Sequence, residues 1–199
     1  MEHIDSWKSE SVFRKQLELN IRELNGKYPE HWYSFIKLLS TFNTKINLLD
    51  IGCGVGTYSE LCKRHLKNIS YTGIDYSEDA INIAKKYWNN GSTFLTKDLY
   101  QLDEEFISNF NFLHMGALLD VLPNADEVLD FILNFSVKNI ILSRVDVKEK
   151  TECYTYTAYD EITTYKYIHS KDVLLKTISN NNYKIIGIDS NNILLEKII

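Results

Sequence analysis

The stretch Leu48-Leu49-Asp50-Ile51-Gly52-Cys53-Gly54-Val55-Gly56-Thr57-Tyr58 restricts this chain more than any other. An apolar run of strand character ends in an acid, breaks into three alternating glycines and passes into a helical pattern. Glycines let the backbone turn sharply and approach a ligand with no Cβ in the way. The helix that follows aims its first N–H groups at the same space. A strand, glycine loop and helix in that order open an α/β fold and mark a site for a nucleotide-like cofactor.

Spacing narrows the choice of cofactor. A dinucleotide fingerprint reads G-x-G-x-x-G and brings a helix N-terminus up to a pyrophosphate. Here Thr57 stands where the last of those glycines would fall, and Asp50 lies two residues before the first. A carboxylate would be repelled by a pyrophosphate but can help to hold a cationic aminoacyl end. With these residues the chain resembles the class I S-adenosylmethionine-dependent methyltransferases. The resemblance implies cofactor contacts from Asp50, Gly52, Cys53, Gly54 and Gly56.

Later landmarks extend the resemblance. Ser70-Tyr71-Thr72-Gly73-Ile74-Asp75 reads as a second strand ending in an acid, about 20 residues beyond the glycines, the distance expected of a ribose-binding carboxylate. Tyr76 follows it, and a helical pattern runs through Lys86. Thr93-Phe94-Leu95-Thr96-Lys97-Asp98-Leu99 reads as a third strand and its terminal acid. Resemblance assigns adenine contact to Asp98, with the Leu99 backbone N–H beside it; a turn or helix cap is the plain alternative for Asp98. The segment Asn111 to Pro123 reads as strand four running into a helix, and its His114 and Met115 fall at the cofactor side. Many relatives carry a Glu-His or similar pair where this chain has Asp120-Val121, and in some that histidine is the general base, so the role does not transfer to Val121. His114 and Asp120 are the nearest substitutes as catalytic residues, against ordinary structural roles for both.

Composition sets outer bounds. The 199 residues suit one domain with a full core, and 44% hydrophobic with 25% charged residues is ordinary for a soluble protein. Net charge is −5 and no Lys/Arg run exceeds two residues, which argues against a nucleic acid or an anionic membrane as the main partner. No apolar run approaches the ~18 residues of a membrane span, and no signal-peptide pattern opens the chain, so the expected compartment is the cytoplasm. Cys53, Cys62 and Cys153 lack metal-ligand spacing and are odd in number, so neither a metal site nor a disulfide framework is expected.

The expected architecture is a single α/β domain over residues 1–199: a three-layer, Rossmann-like methyltransferase sheet of seven strands, the last antiparallel. A helical cap occupies 1–45, with amphipathic helices over residues 1–25 and through Phe35 to Leu39, and the core occupies 46–199. Residues 138–145 read as strand five, and Ser170 to Asn180 as the last helix with Ser170 as N-cap. Tyr183–Asp189 and Asn192–Ile198 read as a closing hairpin, which makes the seventh strand antiparallel. Residues 146–169 are an insertion rich in tyrosine (154, 156, 159, 165 and 167), suited equally to a substrate-side lid and to a dimer interface. His31 and Trp32 either pack the cap over the cofactor or belong to the core. The expected activity is S-adenosylmethionine-dependent O-methylation of a small polar metabolite such as a sugar or polysaccharide unit. A non-catalytic cofactor-binding module or partner subunit is the alternative.

Overall fold

A computed structural model describes residue 7 and residues 9–198. The chain runs α1 (Glu10–Asn25), α2 (Glu30–Leu39), β1 (Ile46–Ile51), α3 (Thr57–His65), β2 (Ile69–Asp75), α4 (Glu78–Tyr87), β3 (Thr93–Thr96), α5 (Glu104–Ile107) and β4 (Phe112–Gly116). It continues through α6 (Ala125–Leu133), β5 (Asn139–Ser143), β6 (Val147–Lys148), β7 (Glu152–Ala158), β8 (Ile162–Ser170), α7 (Lys171–Asn180), β9 (Tyr183–Asp189) and β10 (Asn192–Lys197). Seven strands form one sheet in the order β3-β2-β1-β4-β5-β10-β9. Strands β1 to β5 run parallel, and β10 is inserted antiparallel between β5 and β9. This is the Rossmann-like methyltransferase sheet expected above.

Strand periodicity explains the three layers. Alternate residues of a strand face opposite sides. Leu49, Ile51, Leu113, Met115, Ile140 and Leu142 pack with α6 and α7, whereas Leu48, Phe112, Ile141 and Leu194 pack with α2 and α3. Every residue of β4 from Phe112 to Met115 is buried, as a strand covered on both faces requires.

Local chemistry ends the elements where the sequence signals. Gly26 stops α1, and Ser77 caps α4 by accepting the Ala80 N–H. Ser170 does precede α7, but its hydroxyl makes no capping bond and donates instead to the Glu149 carbonyl at 3.3 Å. The first helix begins at Glu10, and the part of the expected 1–25 helix at residues 1–6 and 8 lies outside the described residues. The second helix begins at Glu30, five residues before the expected Phe35, directly after Pro29, whose fixed φ suits a helix start. The largest departure follows β4. Asp120 is not in a helix but in a short 3-10 turn, Leu119–Val121, because Pro123 and the Asn124 cap delay α6 to Ala125.

Residues 146–169 build a second, three-stranded sheet in the order β6-β8-β7. Its hairpin β7–β8 is antiparallel, from Glu152↔Ile168 to Ala158↔Ile162. Tyr159 and Asp160 turn it with positive φ. The hairpin tip reaches the N-terminal helix: the Trp7 indole N–H donates to Thr164 Oγ1 at 3.1 Å, and Lys15 Nζ reaches Glu161 Oε1 at 2.6 Å. Among the described residues no helix is long and apolar enough to cross a membrane.

Candidate active site

Strand order reverses direction between β1 and β4, and in open α/β sheets ligands bind at such a switch point, beyond the carboxyl ends of the strands. A cavity of about 510 Å³ lies there. Its wall takes Gly52, Cys53 and Gly54 from the loop after β1, Asp75 and Tyr76 from the end of β2, and Lys97 to Tyr100 after β3. Gly116, Ala117 and Leu118 follow from β4, and Arg144 follows β5. The first helix contributes Phe13, Gln16, Asn20 and Glu23, the start of α2 adds His31 and Trp32, and the hairpin adds Tyr156, Tyr159 and Tyr165.

The glycine loop is specified by backbone conformation. Gly52, Gly54 and Gly56 all have positive φ, a region costly for residues with a Cβ. The N–H groups of Gly52 and Cys53 both donate to the Ile74 carbonyl at 2.9 Å, which ties the loop to β2. A Cβ on Gly56 would lie 2.5 Å from the Phe94 ring, so this glycine lets α3 pack against β3 and does not itself line the cavity.

Asp75 is the ionisable group at the centre of this half. Its Oδ2 accepts the Gly54 N–H and its Oδ1 the Ser77 N–H, each at 2.9 Å. Burial nevertheless raises its carboxyl to about 6, the two backbone donors pulling the other way. A carboxylate offers about four lone-pair sites. The two left over can take two ribose hydroxyls. Asp98 Oδ1 caps the 3-10 turn by accepting the Tyr100 N–H at 2.9 Å, and the residue also lies on the wall next to Leu99. These residues fit S-adenosylmethionine.

Other residues assigned from the sequence lie elsewhere. Asp50, His114, Met115 and Asp120 are not on the cavity wall. Asp50 is buried beside the Tyr71 hydroxyl, which donates to it, and its Oδ1 lies 2.8 Å from His114 Nδ1. His114 is fully buried, with Nε2 3.0 Å from Ser143 Oγ and its ring packed at a tilt against Phe35 and edge-on against Tyr58. Side-chain alternation explains this. Asp50 and His114 pair in register and point together into the layer under α2 and α3 rather than past the strand ends. Neither His114 nor Asp120 is therefore placed to touch an acceptor. Asp120 is buried by the 3-10 turn and holds Arg144, its Oδ2 lying 2.7 Å from Arg144 Nη2.

Reasoning from sequence missed Arg144, Glu23 and the value of His31. His31 lies on the wall, and burial, with Arg144 and His114 nearby, lowers its imidazole to about 4, so the ring is neutral near pH 7. Arg144 carried a signal: it directly follows an apolar strand whose carboxyl end must face the site. Ala117, after β4, and Arg144 both hold positive φ, an unfavourable conformation concentrated at functional sites. Glu23 sits on α1, and only the packing of that helix over the loop brings it to the cavity.

A family model described as a methyltransferase domain matches residues 24–179. No curated protein matches the sequence. Among solved structures, the magnesium protoporphyrin IX methyltransferase of Synechocystis PCC 6803 with bound S-adenosylmethionine is similar at 18% identity and a TM-score of 0.60, covering 98% of this chain and 90% of that one. The N-terminal domain of EvdMO1, crystallised in the presence of S-adenosylhomocysteine and D-fucose, is similar at 12% identity and a TM-score of 0.63, covering 87% and 85%. A S-adenosylmethionine-dependent methyltransferase of Clostridium acetobutylicum gives 10% identity, 94% and 99% coverage and a TM-score of 0.63. At these identities the likeness is one of fold.

Proposed function

This chain belongs to the methyltransferase-domain family and takes S-adenosylmethionine as its cofactor, and on that premise we propose that it O-methylates a small polar acceptor, a sugar or polysaccharide unit. One observation carries the acceptor class: the cavity is roofed by α1 and the β7–β8 hairpin, with Tyr156, Tyr159 and Tyr165 on its wall beside Arg144, Glu23 and His31. Tyrosine offers an apolar face for a ring and a hydroxyl for its substituents. A roofed cavity of about 510 Å³ suits a small ligand beside the cofactor better than a folded macromolecule. The EvdMO1 domain crystallised in the presence of D-fucose lends the sugar reading some support.

The cofactor supplies a methyl group activated by its attachment to a sulfonium. On this reading Asp75 would hold the ribose hydroxyls, Asp98 and Leu99 the adenine, and the Gly52–Gly54 loop the aminoacyl end; all of them line the cavity. The protein's remaining tasks are to align the acceptor oxygen and exclude water, both of which the roof serves. Removal of the hydroxyl proton calls for a base; His31 is the imidazole on the wall, and burial weakens its basicity. The test is transfer of labelled methyl to a panel of monosaccharides and nucleotide sugars, with RNA and protein as controls. Labelling of a sugar supports the reading; labelling confined to RNA or protein overturns it.

A further inference from the structure

Among the described residues, two cationic side chains line the cavity, Lys97 and Arg144. Lys97 places its ammonium 5.0 Å from the centre of the Phe106 ring, which accounts for it. Arg144 has no such explanation within the cofactor half. We propose that Arg144 anchors a carboxylate or phosphate carried by the acceptor, and that Asp120 and Lys166 position it. The inference rests on the acceptor reading above and adds the charge of the acceptor to it.

Asp120 is 2% exposed, and its Oδ1 makes no hydrogen bond among the described residues. Its counter-charges are Arg144 Nη2 at 2.7 Å and Lys166 Nζ at 3.9 Å, and Lys166 is itself held by Asp146 at 2.6 Å. Burying a carboxylate is costly, and a merely surface-seeking arginine needs no such support. The backbone adds a second cost. Arg144 has φ 63, a left-handed conformation that a glycine would adopt without strain. It is held there by its own N–H donating to Asn192 Oδ1 at 3.2 Å and by the Val145 N–H donating to the Asn191 carbonyl at 2.8 Å. Two unfavourable features converge on keeping one guanidinium at the cavity.

What surrounds that guanidinium favours an anion. It carries five N–H donors and no acceptor, and Asp120 meets one edge of it. Tyr58, Tyr156 and Tyr159 are near enough for its charge to influence them. Glu23, on α1, is the acidic side chain that also feels it, and burial raises its carboxyl from the ordinary value. His31, at the start of α2, is neutral. A bidentate carboxylate or phosphate matches the planar fork of a guanidinium.

The experiment uses the full chain saturated with S-adenosylhomocysteine and titrates glucose, glucuronate, glucose 1-phosphate, acetate and inorganic phosphate by calorimetry. Glucuronate or glucose 1-phosphate should bind about tenfold tighter than glucose, and which of them does so separates carboxylate from phosphate. The double variant Asp120→Asn/Arg144→Gln exchanges the ion pair for a neutral pair and strands no buried charge. In it the preference should vanish, while affinity for S-adenosylhomocysteine stays within about twofold. Equal binding of the three sugars, or a preference that survives the double variant, overturns the proposal. Should no sugar bind while S-adenosylhomocysteine does, the sugar reading fails, and acetate and phosphate decide for Arg144. An anion held by the wild type and lost in the double variant supports the anchor; anions held by neither, or by both alike, overturn it.

Discussion

The two halves of the cavity wall are built by different means. The half after β1, β2 and β3 is made of backbone turns and strand-end acids within a stretch from Gly52 to Tyr100. Its key bonds join near neighbours in the sheet, such as the Gly54 N–H to Asp75. The other half is side chains brought from α1, α2, β5 and the hairpin, and its ties are long in sequence: Trp7 to Thr164 and Lys15 to Glu161. The first half reads a fixed cofactor and leaves little freedom. The second is side-chain surface on added elements, the part of a fold that can change its ligand without disturbing the sheet.

If this contrast is correct, substitutions in the first half should damage folding or cofactor binding, and those in the second acceptor use alone. The largest effect is expected at Gly56. Alanine there must adopt φ +76 and press its Cβ to within 2.5 Å of the Phe94 ring, so urea denaturation should show a loss on the order of 3 kcal/mol. A loss below about 1 kcal/mol would mean that the α3–β3 contact yields, and that this half is softer than drawn.

Asp75→Asn comes next, with a loss of roughly 10- to 100-fold in S-adenosylhomocysteine affinity by calorimetry. Because the Asp75 carboxyl lies at about 6, wild-type affinity should fall as pH drops through that value, and the variant should lose this dependence. Stability of the free protein runs the opposite way. The folded state keeps this proton up to about pH 6, whereas the ordinary value is 3.8, so the native state binds more protons between the two. Its contribution is fully present below that window and is lost as pH rises through it; thermal melts of Asp75→Asn should lack the slope. A wild-type profile flat from pH 4 to 6 would contradict the assignment.

Smaller effects belong to the roof. Tyr156→Ala and Tyr159→Ala should raise the acceptor KM by roughly three- to tenfold and leave cofactor affinity unchanged. Weakened cofactor binding in either would merge the two halves. Smallest is Glu161→Gln, which breaks an exposed pair with Lys15 and should leave the melting temperature unmoved. A clear drop would show that polar ties, not the packing of Val12, Ala158 and Ile162, dock the hairpin.

Local patterns carried much of the fold. The glycine trio, the acids closing β2 and β3, and the final hairpin could be read because each is a short-range signal: a φ requirement, a strand-end position, a turn between alternating runs. The catalytic candidates were less legible. His114 and Asp120 sit at suggestive places in the sequence, yet the pleat turns His114 into the packed layer and a 3-10 turn buries Asp120. A one-dimensional spacing tells which strand end a residue is near, not which face it occupies.

By itself, then, the sequence determined a cofactor pocket and the sheet that carries it, because those depend on backbone conformation and on periodicities of two and 3.6 residues. Only the tertiary structure decided the acceptor half. Glu23, His31, Arg144 and Tyr156 meet because α1 and the hairpin close over the strand ends, and contacts between residues more than a hundred positions apart leave no local trace in the chain.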